Sequence, residues 1–386
     1  MRLALCGGGT GGHVYPALSI AAAIQRELPA GEKLESVYLG SREGAEGTLA
    51  EQANIPLRDV SSGPIRGRNP LELARNAARM AAGVRQAGKA LSEFGVQVVL
   101  STGGYTSFPV ALAARARRIP IAVYLPDVYP GWAVQAIARL ARRIAVTAPE
   151  TLRKLPGGKA EVTGYPVRDE FWEASRPEGR RRLGLDAEEK VLFVAGASQG
   201  AHSIMDPEEK VLFVAGASQG AHSINRAVAD NLRSLLELCE VVHVSGRADE
   251  AWLAGAAKGL PAELRSRYHL FGYLHGEFPW AMAAADLAFC RAGASVLGEL
   301  PAVGLPAVLV PYPYAGAHQR LNARYLADNG AAVILDDRDL GSMLVVVGSL
   351  LHDASRLDAM SQAARRLARP EAAKKIAKLV LGLVGS

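Results

Sequence analysis

Cysteine is scarce in this 386-residue chain: Cys6, Cys239 and Cys290 are odd in number, each lies in or beside an apolar segment, and none has metal-ligand spacing. That excludes a disulfide scaffold and reads as reduced core thiols of a cytoplasmic protein. Long apolar runs are also missing; none reaches the roughly 18 residues that a bilayer span needs. Met1-Arg-Leu-Ala-Leu-Cys6 enters a glycine turn at once, which reads as a buried first strand and not as a signal peptide. Charged residues are only 21% against 49% hydrophobic, a balance that fits a globular protein and argues against disorder. The formal charge of +6 is compatible with phosphates, a nucleic acid or an acidic membrane surface as partner, and equally with ordinary surface lysines and arginines.

What is present is a long alternation of apolar strand-like runs and helical stretches. The runs are Leu3–Cys6, Ser36–Leu39, Val96–Leu100, Ile121–Tyr124, Val211–Ala215, Val241–Val244, Leu287–Cys290 and Ala307–Val310. Short continuous apolar strands separated by helices imply parallel sheets covered on both faces. The length exceeds a usual single domain. The expectation is therefore an α/β protein of two doubly wound, Rossmann-like domains facing across a cleft, with ligands at the carboxyl ends of the strands. Val162-Thr-Gly-Tyr-Pro-Val-Arg168 carries glycine and proline between the two series and reads as the hinge. The expected domains are 1–163, joined by a C-terminal helix at about 371–386, and 164–370.

Asp186–Met205 is followed directly by Asp206–Asn225, and the two blocks differ only at Ala187 against Pro207 and Met205 against Asn225. Two copies are too few for a solenoid. Only one can fill one place in a sheet. After the second copy the chain continues Ile224, Val228, Leu232, Leu235 at helical spacing, whereas Pro207 comes after the first copy too soon for a long helix. The second copy is expected to be the structural one and Asp186–Met205 an insertion.

Four loops carry the candidate chemistry. Gly7-Gly-Gly-Thr-Gly-Gly-His13 comes after the first strand; Gly7, Gly9 and Gly12 also satisfy the dinucleotide pattern, with Ser41-Arg42 suited to a 2′-phosphate, but nothing downstream resembles a hydride-transfer site. A histidine at a helix start beside backbone donors suits a phosphate or proton removal from a hydroxyl. Ser101-Thr-Gly-Gly-Tyr-Thr-Ser-Phe-Pro109 is a second glycine turn after a strand, open to close backbone approach. Gly216-Ala-Ser-Gln-Gly220 opens a helix, where N–H groups suit a diphosphate. Finally Arg291–Glu299, Gly304–Pro311 and His318–Asn322 read as loop, helix, buried strand and loop, presenting a carboxylate and two amides to a nucleotide sugar.

Together, Gly7–His13 with Tyr15-Pro16, Gly103-Gly-Tyr105, Gly164–Arg168, Gly216–Gly220, Arg291–Glu299 and His318–Asn322 resemble the membrane-associated N-acetylglucosamine transferases of peptidoglycan synthesis, the MurG family. The resemblance implies a GT-B fold and transfer of N-acetylglucosamine from UDP-GlcNAc to the MurNAc 4-hydroxyl of undecaprenyl-diphosphoryl-MurNAc-pentapeptide (lipid I), giving lipid II. It implies donor contacts at Thr10, Gly11, Gly12, Arg168, Ser218, Gln219, Gly220, Leu274, His275, Ala294, Glu299, Gln319 and Asn322, with Glu299 on the ribose and Leu274-His275 reading uracil. It further implies acceptor contacts at Gly8, Gly9, Gly103, Gly104 and Tyr105. The chain departs from the family where Tyr124-Leu-Pro-Asp127 replaces the usual His-Glu-Gln-Asn, where His318 stands for a glutamine, and where Tyr165 stands for an asparagine.

The expected reaction is an inverting displacement with His13 as first candidate base and Asp127 as second, no metal or cofactor being required. The partners implied are UDP-GlcNAc, an undecaprenyl-linked lipid and the anionic cytoplasmic face of the bacterial inner membrane, with no nucleic acid. A local candidate for the membrane contact is Ile65-Arg-Gly-Arg68 leading into Leu71, Leu73, Met80, Val84 and Leu91 among Arg75, Arg79, Arg85 and Lys89; a packed surface helix is the rival reading. Two alternatives to the function stand beside it: a related UDP-sugar transferase acting on another lipid, and a donor-binding protein impaired by the duplication.

Overall fold

A computed structural model describes residues 1–8, 11–42, 45–63, 70–155, 157–185, 193–194, 211–215, 221–274, 276–313 and 318–384. The chain forms two units, Met1–Arg168 with Arg369–Ser386, and Asp169–Ala368.

In the first unit the strands are β1 (Arg2–Gly7), β2 (Glu35–Gly40), β3 (Leu57–Asp59), β4 (Val98–Gly103), β5 (Ile121–Leu125), β6 (Arg143–Val146) and β7 (Ala160–Val162). They lie in the order β3-β2-β1-β4-β5-β6-β7, all parallel. β4 and β5 are buried along their whole length, which is why Val98–Leu100 and Ile121–Leu125 are continuous apolar runs without a polar face. Helix Gly11–Glu27 returns from β1 and packs against the C-terminal helix Ala372–Leu381. Strand order reverses between β1 and β4, and a doubly wound sheet opens a ligand crevice at such a point. Both glycine turns, after β1 and after β4, leave the sheet there.

The second unit contains β8 (Phe193–Val194), β9 (Val211–Ala215), β10 (Glu240–Val244), β11 (Tyr268–Phe271), β12 (Leu287–Cys290), β13 (Ala307–Leu309) and β14 (Ala332–Ile334). The order is β11-β10-β9-β12-β13-β14, again parallel, with β8 also pairing to β10. The reversal here falls between β9 and β12. The strand leading toward Gly216–Gly220 and the strand ending at Arg291 are thus neighbours at the switch point. β9 comes from the second copy of the duplicated block and continues into helix His222–Ala229; β8 comes from the first copy.

All three cysteines are free and buried, and burial pushes the Cys6 thiol up to about 11. Among the described residues no helix is long and apolar enough to cross a membrane. The expectation for the basic segment divides. Arg75, Arg79, Arg85 and Lys89 are exposed along helix Pro70–Phe94, but Leu91 is core and Val84 packs against it. Those two apolar residues hold the helix to its own unit and are not part of a membrane face; Ile65–Arg68 and the side chains of Leu71 and Leu73 lie outside the described residues.

Candidate functional site

The two glycine turns of the first unit touch through backbone. Gly103 and Gly104 have φ of +97° and +88°, left-handed conformations that a side chain would strain. A Cβ on Gly104 would stand 2.5 Å from the Gly8 carbonyl oxygen, and one on Gly8 would meet the Glu46 carboxylate and the Thr106 hydroxyl. Glycine at Gly8 and Gly104 is therefore what lets the loops after β1 and β4 approach each other. Tyr105, next in the chain, is 47% exposed. Tyr38 braces the first loop from beneath, its hydroxyl donating to the Gly7 carbonyl.

His13 lies on the first turn of helix Gly11–Glu27, half-buried, with its ring against Gly103. Its Nδ1 is 2.7 Å from the Thr102 carbonyl oxygen. A carbonyl can only accept, so Nδ1 carries the hydrogen, and in the neutral ring the lone pair is on Nε2. Thr102 returns a bond from its hydroxyl to the His13 carbonyl at 2.7 Å. Asp127, the second base candidate, is half-buried in the turn after β5. Its charge, after burial itself, helps hold the Tyr124 phenol well above its usual range. Tyr165 is buried, stacks edge-on to Tyr124 at 6.2 Å, and donates to the Gly12 carbonyl at 3.5 Å. The Arg168 guanidinium lies 5.0 Å from the centre of the Tyr15 ring.

In the second unit Arg291, 5% exposed, leaves the end of β12 and gathers three segments. It donates to Asp337, to Ser223 Oγ at 2.7 Å and to the Val310 carbonyl at 3.3 Å, while its guanidinium faces Tyr312. Ser223 itself donates to Asp337 at 2.9 Å and sits on the first turn of helix His222–Ala229. The start of that helix is therefore tied both to the β12 loop and to the turn after β14. On its other side, Asn225 is fully buried and donates to the Ser245 carbonyl at 2.8 Å and to Asp249 at 2.6 Å. The Asn225 Oδ1 accepts from His243 Nε2 at 3.2 Å, and His243 Nδ1 accepts from the Tyr268 hydroxyl at 2.8 Å. Burial drives the His243 pKa down to about 3, so the ring is neutral.

Glu299 lies in helix Val296–Val303, half-buried, its N–H bonded to the Ser295 carbonyl; Ala294 is buried in the preceding turn. Gln319 opens helix His318–Asp328 and accepts from the Tyr312 N–H at 2.9 Å. Asn322 is fully buried and its amide donates to the Ala292 carbonyl at 3.1 Å. That bond makes it a brace for the Arg291–Ser295 loop. Leu274 is half-buried in the loop after β11. Gly9, Thr10, Ser218, Gln219, Gly220 and His275, and the side of Gly11, lie outside the described residues.

Sequence reasoning passed over Thr102, Ser223, Arg291 as a hub, and Asp337. Asp337-Arg-Asp339 is an Asp-x-Asp pair soon after β14, a signal that was readable; Asp337 is taken by Arg291 and Ser223, and Asp339 by Arg338.

Two family models match the chain: the glycosyltransferase family 28 N-terminal domain over residues 3–146 and the C-terminal domain of the same family over residues 211–379. The second match begins at Val211, in the second copy of the duplicated block. The UDP-N-acetylglucosamine–N-acetylmuramyl-(pentapeptide) pyrophosphoryl-undecaprenol N-acetylglucosamine transferase of Roseiflexus sp. (strain RS-1) is 39% identical, over 100% of this chain and 95% of that protein. The protein of the same name from Moorella thermoacetica is 36% identical over 100% of both. Among solved structures, Acinetobacter baumannii MurG superposes with a TM-score of 0.72 at 24% identity, covering 99% of each chain. A UDP-GlcNAc 2-epimerase from Neisseria meningitidis reaches 0.66 at 13% identity over 99% of this chain and 100% of that one. At those identities the structural likeness speaks for the fold alone, a GT-B arrangement of two doubly wound domains. The sequence relatives speak for descent: the chain belongs to glycosyltransferase family 28, within the family of UDP-N-acetylglucosamine–N-acetylmuramyl-(pentapeptide) pyrophosphoryl-undecaprenol N-acetylglucosamine transferases.

Proposed function

We propose that this protein transfers N-acetylglucosamine from UDP-GlcNAc to the 4-hydroxyl of the MurNAc residue of undecaprenyl-diphosphoryl-MurNAc-pentapeptide, releasing UDP and giving lipid II. The observation that carries the reading is 39% identity along the whole chain to a relative whose name states that donor group and that acceptor. The geometry of the first unit supports it. The two glycine turns meet at Gly8 and Gly104, next to the exposed Tyr105, and His13 lies against Gly103 beside them, where in its neutral form Nε2 can accept a proton.

In the reaction the acceptor oxygen forms a bond to the anomeric carbon as the bond from that carbon to the diphosphate oxygen breaks. The hydroxyl proton passes to His13 Nε2, and UDP departs with the electron pair. Asp127 is the second candidate for that proton. On the donor side Glu299 accepts from the ribose hydroxyls, Gln319 serves the sugar, and the N–H groups preceding helix His222–Ala229 carry the growing diphosphate charge. Asn322 and Arg291 serve by holding the loops that present those groups.

A peripheral position at the cytoplasmic membrane face belongs to the same reading. It is supported by the net charge of +6 and by the exposed row Arg75, Arg79, Arg85 and Lys89. The test is turnover of UDP-GlcNAc with undecaprenyl-linked acceptor against diacylglycerol. Release of UDP and a disaccharide-lipid with the first alone supports the proposal. Release with diacylglycerol alone would assign another lipid acceptor, and UDP binding without any release would make the chain a binding protein.

A further inference from the structure

Two segments of identical sequence contend for one place beside β10. Val211 of the second copy pairs with Glu240, and Phe193 of the first copy pairs with Val242. Continuing the first pairing by two residues along parallel strands brings Phe213 opposite Val242. Phe193 and Phe213 are the same position of the duplicated block, 20 residues apart. Strand sequence cannot choose between the copies, because Glu188–Ile204 and Glu208–Ile224 are identical. The choice must come from the residues that lie beyond Ile204 in one copy and beyond Ile224 in the other.

Those downstream residues differ sharply. Asn225 ends the second copy, fully buried, and its amide and carbonyl bond to Ser245, Asp249 and His243. Met205 ends the first copy. Placed in the same register, a methionine has no donor for the Ser245 carbonyl and no oxygen for the buried His243 N–H. Further along, Pro207 would fall at Ala227 inside the helix, and Glu208 would fall at Val228, which is fully buried.

We propose that Asn225 is a positioning residue that assigns the strand and helix of the donor domain, β9 and His222–Ala229, to the second copy. A single buried amide specifies register here, as one buried asparagine does in other packed assemblies. The first copy remains a standing competitor, pairing Phe193 and Val194 with β10, but it cannot supply the bonds of Asn225 or the packing of Val228.

The test uses the full chain and two readouts. Limited trypsin digestion read by intact mass separates cleavage after Lys190 from cleavage after Lys210, whose products differ by 20 residues. Cleavage of the native protein after Lys190 is expected to be at least about tenfold faster, because Lys210 adjoins β9, which is paired on both sides by β10 and β12, whereas β8 pairs with β10 off the main path of the sheet. Asn225→Met should bring the two rates within about threefold and raise KM for UDP-GlcNAc about tenfold, with kcat changed less. Removing residues 186–205 from the Asn225→Met protein should return KM to within about threefold of the native value, because the competitor is gone. Asn225→Ser, the smaller change, serves should the methionine variant not fold, and is expected to shift both readouts in the same sense. Equal cleavage at both lysines in the native chain overturns the proposal. So does a KM increase of the same size with and without residues 186–205, which would make Asn225 a plain structural residue, and so does no change in either background. KM depends on the proposed donor reading; the cleavage pattern does not, so failure of one is distinguishable from failure of the other.

Discussion

His13 and Thr102 hold each other by two bonds of opposite sense, imidazole Nδ1 to the threonine carbonyl and threonine hydroxyl to the histidine carbonyl, each 2.7 Å. The first fixes the tautomer of the neutral ring, with Nε2 as its acceptor; the second ties the helix start to the end of β4. Removing the ring removes the proposed base. His13→Ala is expected to lower turnover with lipid acceptor by roughly 10²–10⁴-fold while UDP affinity stays near native. Thr102→Val keeps the carbonyl, and hence the tautomer, and costs about one neutral hydrogen bond, roughly 0.5–1.5 kcal/mol of stability, with turnover reduced less than about tenfold. Steady-state assays and urea melts separate the two effects. Survival of His13→Ala turnover together with loss in Asp127→Asn would move the base to Asp127.

The close approach of Gly104 to Gly8 yields a second expectation. Alanine at Gly104 must adopt φ near +88° and bring Cβ to 2.5 Å from the Gly8 carbonyl. Strain of this kind costs about 1–3 kcal/mol, and relief can come only by separating the two glycine turns. Gly104→Ala should therefore lower the melting temperature and raise KM for the lipid acceptor more than KM for UDP-GlcNAc. Equal rises in both would mean that the turns do not serve the acceptor.

Much of this architecture was legible because β1, β4, β5 and β12 are buried on both faces, and a doubly covered parallel strand writes itself largely as an apolar run. Edge strands such as β3 and β7, three residues each and partly exposed, leave no such record. Glycine turns were legible for the same local reason, since Gly103 and Gly104 need positive φ where they stand. The cross-links were not. That Arg291 reaches Ser223 and Asp337, 68 and 46 residues away, depends on which strands become neighbours. The bond from Asn322 back to the Ala292 carbonyl, 30 residues away, is of the same kind. The apolar residues of Pro70–Phe94 suggested a membrane face, but Leu91 belongs to the core.

Deletion of Asp186–Met205 should leave a chain that folds at least as stably as the native one. The second copy supplies β9 and runs on to helix His222–Ala229, so the deletion removes no element of the main path of the sheet except the extra pairing of β8. A long insertion adds little closure entropy, so stability should rise by no more than about 1 kcal/mol. Aggregation on heating should fall, because one copy of Val-Leu-Phe-Val is gone. Loss of folding on deletion would mean that the first copy is also required.

Glu299 is the proposed ribose acceptor, half-buried in the first turn of helix Val296–Val303. A charge-assisted hydrogen bond contributes about 1.5–3 kcal/mol, so Glu299→Ala is expected to weaken UDP binding roughly tenfold to a hundredfold. Calorimetric titration with UDP measures this directly, and circular dichroism checks that the fold is intact. Unchanged affinity in a folded variant would remove Glu299 from the donor site.

His243 gives the second unit a defined acid limit. Burial lowers its pKa from 6.5 to about 3, the nearby Asp249 charge opposing the shift only in part. The unfolded chain takes up this proton below pH 6.5, whereas the folded chain, with Asn225 and Tyr268 on the two ring nitrogens, does not until about pH 3. Stability from this group is therefore complete above pH 6.5 and is lost as pH falls toward 3. Between pH 7 and pH 5 the loss is about 2 kcal/mol. His243→Gln keeps a neutral polar side chain and cannot titrate; it should be less stable than the native protein at pH 7 but should lose about 2 kcal/mol less on going to pH 5. Urea unfolding of both proteins at the two pH values measures the difference. Equal losses would show that His243 gains its proton in the folded state as readily as in the unfolded one, and that the Asn225–His243–Tyr268 chain does not hold the ring neutral.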